Sequence, residues 1–556
     1  MQETVFDAVV IGSGATGGWA AKQLTEAGMK VALLEAGRKI TAAEFSEHIM
    51  PFEQTYRGSS PEIAITRPIQ SKNYACRESN YTWFADDIDN PYTTPQDKPF
   101  WWIRGRVLGG RSLTWGRQSY RYSDLEFKAF SHDGYGDDWP FSYADLAPYY
   151  DRVEEYVGIS GQAEGVPQLP DGKFLPPMAM TCGEMLLRDG AMKKFGRTVT
   201  IGRVAVLTKS LNGRAACHWC GPCEQGCVTH SYYNSPFTTI AAAERTGRLT
   251  LITDAVVHRI NTDPNSGKAS GVSYIEAATR RQKEVKAKAV VLCASTLESA
   301  RLLLNSANRQ SPNGLANSSG VVGHYLMDHC YTSGASGVMP MLEARPWAGP
   351  PRRPNGIYIP RFRNVKEKIT NGFIRGYGYQ GGSTPGFLGT AAPGFGADYK
   401  KAYKTGRYGI NLNGFQECLA RWDNYVELDR EKVDAWGVPV LRIHCSYGDN
   451  ELKMAHTVAA DAAEMLEAAG AKDVRARVSP SVPGFCIHEV GTARMGRDPK
   501  TSVLNEFAQA HDVKNLFVTD GSAFVSSGWS NPTLTMMAIT VRACEYLIEE
   551  MKRGSL

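Results

Sequence analysis

The segment from Thr4 to Glu35 constrains this chain more than any other. Residues 4–11 (TVFDAVVI) are short, apolar and rich in β-branched side chains, the pattern of a strand buried in a parallel sheet. Gly12-Ser13-Gly14-Ala15-Thr16-Gly17 follows at once, then a helical pattern to Ala27 that Gly28 stops, then a second strand over 29–34 ending at Glu35. A glycine-rich turn inside such a βαβ unit is built for a pyrophosphate. Gly12 allows the tight turn, Gly14 lets the backbone approach the phosphates, and Gly17 lets the helix pack closely on the strand. The helix N-terminus adds free N–H groups and a partial positive charge. Glu35, twenty-three residues past Gly12, is placed to accept from a ribose hydroxyl, and an acid there disfavours a 2′-phosphate. The expected fold class is α/β, with a Rossmann-type nucleotide domain at its start.

Composition excludes several other classes. At 556 residues, with 42% hydrophobic and 21% charged side chains, the chain has an ordinary globular balance and material for two to four domains. A net charge of +5 without any Lys/Arg run gives no reason to expect nucleic acid. No stretch reaches the ~20 apolar residues of a membrane helix. Residues 1–11 run directly into a core strand, without a basic n-region or cleavage site, so no secretory leader is expected. The expected location is cytoplasmic, or periplasmic if a partner subunit carries the export signal.

Eight of the twelve cysteines are scattered, as buried thiols in large enzymes usually are. The other four, Cys217, Cys220, Cys223 and Cys227, lie in CHWCGPCEQGC. The C-x2-C-x2-C-x3-C spacing matches the bacterial ferredoxin run except that Val228 stands in place of the following proline. Three readings remain open: an iron–sulfur cluster, a zinc site, whose cysteine pairs are usually further apart, and plain thiols or a disulfide.

Four further segments accompany the nucleotide motif: RGRVLGGRSLTWG at 104–116, KAVVLCASTLESARLLL at 288–304, HEVGTARMG at 488–496 and LFVTDGSAFVSSGWSNPTLTM at 516–536. In this order they resemble the glucose–methanol–choline (GMC) family of FAD-dependent alcohol oxidoreductases, from residue 5 to about 550, most weakly over 330–480. The resemblance implies that Gly109, Gly110 and Ser112 pack against FAD, that Val256 and Val257 flank the adenine, and that Asp520 and Gly521 meet the pyrophosphate and ribityl end. Some relatives attach FAD through a histidine near residue 114; Thr114-Trp115 stand there instead, so FAD is expected to be held non-covalently, with Trp115 against it. The resemblance also points to the branch of bacterial sugar dehydrogenases that carry an iron–sulfur cluster, of 3Fe-4S or 4Fe-4S type. Its C-x5-C-x3-C pattern selects Cys217, Cys223 and Cys227 and leaves Cys220 as the uncertain ligand.

Of the eleven histidines, His488 opens HEVGTARMG and pairs downstream with Asn531. Alcohol oxidation needs a base for the hydroxyl proton while the carbon gives up hydride. A neutral imidazole near its ordinary pKa of ~6.5 suits that role. Asn531 would orient the same hydroxyl. Followed by Pro532 and an apolar run, it also reads as the N-cap of a helix aimed at the flavin.

The FAD-binding domain is expected to be discontinuous, over 1–45, 85–130, 225–325 and 480–556. Residues 46–84, 131–224 and 326–479 would form the cysteine segment and a substrate domain on an antiparallel sheet. The capping-box sequence at 142–145 begins an amphipathic helix in that second part, and the Gly/Pro-rich stretch 345–400 reads as long loops. The function expected is oxidation of a sugar or glycoside secondary hydroxyl, of glucoside 3-dehydrogenase type. Electrons would leave through the cluster to a small companion subunit or a cytochrome. The alternatives are an oxygen-using oxidase, a sugar-acid dehydrogenase of gluconate type and a non-catalytic flavoprotein subunit.

Overall fold

The structure is a computed structural model describing residues 4–49, 53–58, 60–342, 353–369, 371–386, 394–405 and 407–556. Its larger sheet contains β1 (Val5–Ile11), β2 (Val31–Leu34), β3 (Leu249–Ile252), β4 (Ala255–Thr262), β5 (Ala269–Glu276), β6 (Gln282–Leu292) and β7 (Leu516–Val518). The order is β3-β2-β1-β6-β5-β4, with β7 also beside β6. β3, β2, β1, β6 and β7 are parallel, while β6, β5 and β4 form an antiparallel flap. The register pairs Ile11 with Leu34 and with Leu292, so the carboxyl ends of the central strands share one edge. In an open sheet of this kind ligands bind in the crevice outside that edge.

α1 (Ala15–Glu26) leaves the end of β1 through the glycine turn. Gly12 has φ of +91°, and a Cβ there would lie 2.5 Å from the Cys293 carbonyl oxygen; a Cβ on Gly17 would lie 1.8 Å from the Gly12 carbonyl oxygen. Helix and strand can meet this closely only without those side chains. Nothing stands within 4 Å of a Cβ on Gly14, and that open space faces the crevice.

The second sheet is antiparallel throughout. Its strands run in the order Lys472–Arg477, Gly334–Val338, Arg407–Gln416, Tyr377–Gly386, Ile357–Ile359 and Thr200–Ile201. The fold class is the expected one, mixed α/β with a parallel and an antiparallel sheet. Strand alternation divides its residues between two faces. Tyr377, Tyr379, Ile410 and Leu412 pack with Met454, Val458 and Met465 of a covering helix, Asp449–Ala468. Gln380 and Phe415, on the other face, line the crevice.

Two local expectations need correction. Within 345–400, expected as loops, Ile357–Ile359 and Tyr377–Gly386 are strands, because main-chain pairing with neighbours distant in sequence overrides their Gly and Pro content. Residues 345–352, 370 and 387–393 of that stretch lie outside the described residues. The helix after the capping box, α2 (Tyr143–Val157), was assigned to the substrate part. It buries Leu146, Tyr150, Val153 and Val157 in the core of the nucleotide-binding sheet instead. Tyr150 there hydrogen-bonds Thr535 of the C-terminal helix at 2.7 Å.

Candidate active site

A cavity of about 700 Å3 occupies the crevice between the two sheets. Its floor is the carboxyl edge of the parallel sheet: Gly12 and Gly14 after β1, Glu35 after β2, Ala294 after β6, and Asp520 and Gly521 after β7. Val256 and Val257 of β4 line one end; Gly110, Ser112 and Trp115 form another wall. Gly17 and Gly109 stand behind the lining, where Gly17 holds helix to strand and Gly109 adopts φ of +93° against Pro236. Glu35 is buried and accepts from the Ser13 N–H at 3.2 Å and the Gly37 N–H at 2.8 Å, and also from the Ser13 hydroxyl. Burial raises its pKa above the usual carboxylate value. The Ser112 hydroxyl donates to the Gly109 carbonyl at 2.7 Å, and the Trp115 indole N–H to the Tyr233 carbonyl at 2.9 Å, so this wall is tied down from behind. Four buried donors on lining residues, Asn73 Nδ2, Arg104 Nε, Arg106 Nη2 and Arg117 Nε, have no partner among the described residues. A buried donor left unpaired costs about 1–3 kcal/mol. The unpartnered atoms, among which the acceptors Asn355 Oδ1 and Glu489 Oε1 also occur, suit a large polar ligand, with three guanidinium groups to meet an anion.

At the substrate-sheet end of the cavity, His488 Nε2 lies 3.1 Å from Asn531 Nδ2, and Asn531 Oδ1 accepts from Gln380 Nε2 at 2.6 Å. The expected N-cap role of Asn531 does not hold. The helix, Thr533–Arg553, is capped at Pro532 without a side-chain hydrogen bond, and the Asn531 amide is spent across the site instead. Pro532 and Thr533 still line the cavity, so this helix presents its N-terminus there.

The hydrogen bonds assign the tautomer of His488. His329, fully buried, places Nε2 3.0 Å from the Gly528 carbonyl, which can only accept, so its Nε2 carries the proton. Burial lowers the His329 pKa to about 4, so the ring is neutral and its Nδ1 is an acceptor. That Nδ1 is 3.0 Å from His488 Nδ1, which must donate to it. His488 is neutral as well, because burial, His329 and Arg111 hold its pKa well below the ordinary value. Its Nε2 lone pair therefore faces Asn531 and the cavity. The expectation of a near-ordinary pKa is corrected: burial keeps the His488 imidazole neutral even in mild acid.

Sequence reasoning missed His329, Gln380 and Asp328. Asp328 is buried and accepts from the backbone N–H groups of His488 (2.9 Å), Gly484 (2.8 Å) and Cys486 (3.3 Å), which fixes the loop carrying the base. Burial and Glu489 raise its pKa to about 7. No local sequence signal marks Asp328 or His329. Phe415, Tyr331 and Phe485 add an aromatic wall close to His488.

The cysteine loop reaches the same cavity, since Gly221 lines it. Cys223 and Cys227 are buried, Cys217 and Cys220 half-buried. The N–H groups of Trp219 and Ser231 point at the sulfurs of Cys217 (3.4 Å) and Cys227 (3.3 Å). Among the described residues no three of the four sulfurs lie within 4.8 Å of one another. A tetrahedral zinc with Zn–S of ≈ 2.3 Å would hold them about 3.7 Å apart. Cys220 turns its sulfur toward His48 and His218.

A family model described as GMC oxidoreductase matches residues 6–331, and its C-terminal counterpart matches residues 420–540. The chain is 31% identical to 2-methyl-1,2-propanediol dehydrogenase of Mycolicibacterium austroafricanum, covering 97% of this chain and 95% of that one. It is 28% identical to the fructose dehydrogenase large subunit of Gluconobacter japonicus, covering 99% and 98%. Among solved structures, pyridoxine 4-oxidase from Mesorbium loti superimposes with a TM-score of 0.60 at 18% identity, covering 97% and 98%, a likeness of fold.

Proposed function

The chain belongs to the GMC oxidoreductase family, an FAD-binding family with members that act on sugar and alcohol hydroxyls, and within it we propose a sugar or glycoside dehydrogenase of glucoside 3-dehydrogenase type. The observation that carries the reading is the His488–Asn531 pair on the cavity lining, in which the His488 Nε2 lone pair accepts from the Asn531 amide at 3.1 Å, so that a substrate hydroxyl entering between them would meet an acceptor and a donor together. The cavity's unpartnered donors fit the phosphates and ring carbonyls of FAD. Gly12, Gly14, Asp520 and the helix N-termini of 15–26 and 533–553 would hold the cofactor, Glu35 its ribose, and Val256 and Val257 its adenine. When bound, FAD supplies the hydride acceptor. FAD is held non-covalently, since Thr114 and Trp115 offer no attachment point.

His488 Nε2 takes the hydroxyl proton of the substrate. Asn531 Nδ2 donates to the same oxygen, and Gln380 keeps that amide from flipping. The proton reaching Nε2 is not passed on through Nδ1, which already donates to His329. It leaves by the cavity side. Phe415 and Tyr331 give a flat wall suited to the apolar face of a sugar ring, and Arg353 and Asn355 bring polar groups to its rim.

Cys217, Cys223 and Cys227 would hold an iron–sulfur cluster, which would supply a one-electron route from the flavin to a protein acceptor. Two features support this reading: the loop borders the cavity at Gly221, and backbone N–H groups point at two sulfurs. The fructose dehydrogenase relative is a large subunit, and a companion subunit or cytochrome fits here too. The test is anaerobic reaction of FAD-loaded protein with a glucoside and its 3-deoxy analogue, followed by product analysis. A 3-keto product from the glucoside alone supports the reading. Oxidation of both, or of neither, rejects it.

A further inference from the structure

Beside the cysteine loop a second group of ligand-type side chains converges. His48 Nε2 and His218 Nε2 lie 2.9 Å apart, and one ring nitrogen of each histidine and Cys220 Sγ lie within 4.8 Å of one another. The two rings do not stack flat; their planes are tilted by 42° and they meet nitrogen to nitrogen. His218 Nδ1 is 3.4 Å from the Thr229 hydroxyl, which leaves Nε2 as the free face of that ring. Two imidazoles on one tetrahedral zinc, at Zn–N of ≈ 2.05 Å, hold their nitrogens about 3.4 Å apart, so the pair needs to open by only a few tenths of an ångström.

A second observation comes from Glu47, next to His48 in the chain. It is 4% exposed and its Oε1 accepts from the Val228 N–H at 2.6 Å. Its Oε2 is buried without a partner among the described residues. Glu47 is not one of the convergent ligands, but its buried, unpaired carboxylate oxygen acts electrostatically on Cys220, and negative charge near the His/His/Cys set favours a cation.

From this geometry we propose that His48, His218 and Cys220 form a mononuclear site for a divalent metal of the zinc class. It is separate from the cluster assigned to Cys217, Cys223 and Cys227. Two imidazoles and one thiolate are the donors such a metal prefers, and three protein ligands leave a fourth position for water. The exposure of both histidines puts that position at the surface. The site also explains a cysteine that the C-x5-C-x3-C pattern leaves over. A metal here clamps residues 45–48 to the loop, adding to the Ser46 N–H bond to the Gln225 carbonyl (2.9 Å) and the Asn80 amide bond to the Glu224 carbonyl (2.7 Å). The proposal rests on the cluster reading only in leaving Cys220 free.

The test uses full-length FAD-loaded protein prepared without oxygen, treated with a chelator and titrated with Zn2+ alone. Zinc, iron and sulfide are counted per chain. The expected result is one zinc per wild-type chain. His48→Ala, His218→Ala and Cys220→Ser should each weaken its binding at least tenfold while flavin and iron content stay unchanged. Cys223→Ser should show the converse, keeping zinc and losing iron. Wild type that binds no more zinc than the His48→Ala/His218→Ala double variant would overturn the site. Loss of iron rather than zinc in the single histidine variants would overturn it too, by placing those histidines at the cluster. Absence of iron from every protein with zinc binding intact would reject the cluster and leave this site standing.

Discussion

His329 touches neither the cavity nor the base's reactive nitrogen, yet its removal should slow the chemistry. In the wild type His488 Nδ1–H donates to His329 Nδ1 at 3.0 Å, and this holds the lone pair on Nε2. His329→Ala leaves that buried N–H unpaired. The penalty for such a donor is about 1–3 kcal/mol, and the ring escapes it by moving its proton to Nε2, the tautomer that cannot act as base. At ~1.36 kcal/mol per decade the loss of rate is about 5- to 150-fold. The assay is anaerobic single-turnover bleaching of the flavin by substrate, which isolates proton and hydride removal from electron exit. The rate should fall while the apparent substrate affinity changes little. His329→Gln, whose amide offers both an acceptor to His488 and a donor to Gly528, should recover much of it. A His329→Ala enzyme that bleaches at the wild-type rate would refute the tautomer argument. Equal losses in the Ala and Gln variants would reduce His329 to a packing role.

With the His488 pKa held well below 6.5, flavin bleaching should be independent of pH from about 6.5 to 8 and decline only in stronger acid. An acid limb centred at or above 6.5 would contradict the burial argument. Asp328, raised from 3.8 to about 7, is stabilised in its protonated form by folding, so its contribution is lost as pH rises between those values. In thermal melts Asp328→Asn should accordingly gain on the wild type between pH 4 and 7; a difference that stays constant, or reverses, would refute it. Cys223→Ser should bleach normally in single turnover but lose at least tenfold in steady-state turnover with a one-electron protein acceptor. Unchanged turnover would remove the cluster from the electron path.

The nucleotide end of the molecule was legible because its signals are local. Strand, turn, helix, strand and acid sit within residues 4–35, and Gly17 answers to the Gly12 carbonyl five residues before it while Gly14 and Gly28 face open space. His488 stood out in the sequence for a different reason, as part of a motif whose resemblance spans the chain. What stayed hidden depends on long-range pairing. His329 and His488 are 159 residues apart, and nothing near His329 marks it. Gln380 lies in a stretch whose Gly and Pro content suggested loops, although the Tyr377/Tyr379 alternation is a strand pattern once the partner strand is known. Asn531 before a proline is a good cap by local rules. His488 and Gln380 compete for its amide across the cavity, and in the folded chain they win. The helix 143–157 began where its capping box indicates, but its amphipathic face does not say which core it will join.

The central claim is that the neutral His488 imidazole removes the hydroxyl proton of the substrate. The direct measurement is the anaerobic bleaching rate of FAD-loaded His488→Ala beside wild type, with bound flavin quantified in both. General-base catalysis supplies ~10²–10⁴-fold. The variant should keep its FAD and bleach slower by about that factor. A His488→Ala enzyme that retains flavin and loses less than about tenfold would contradict the account.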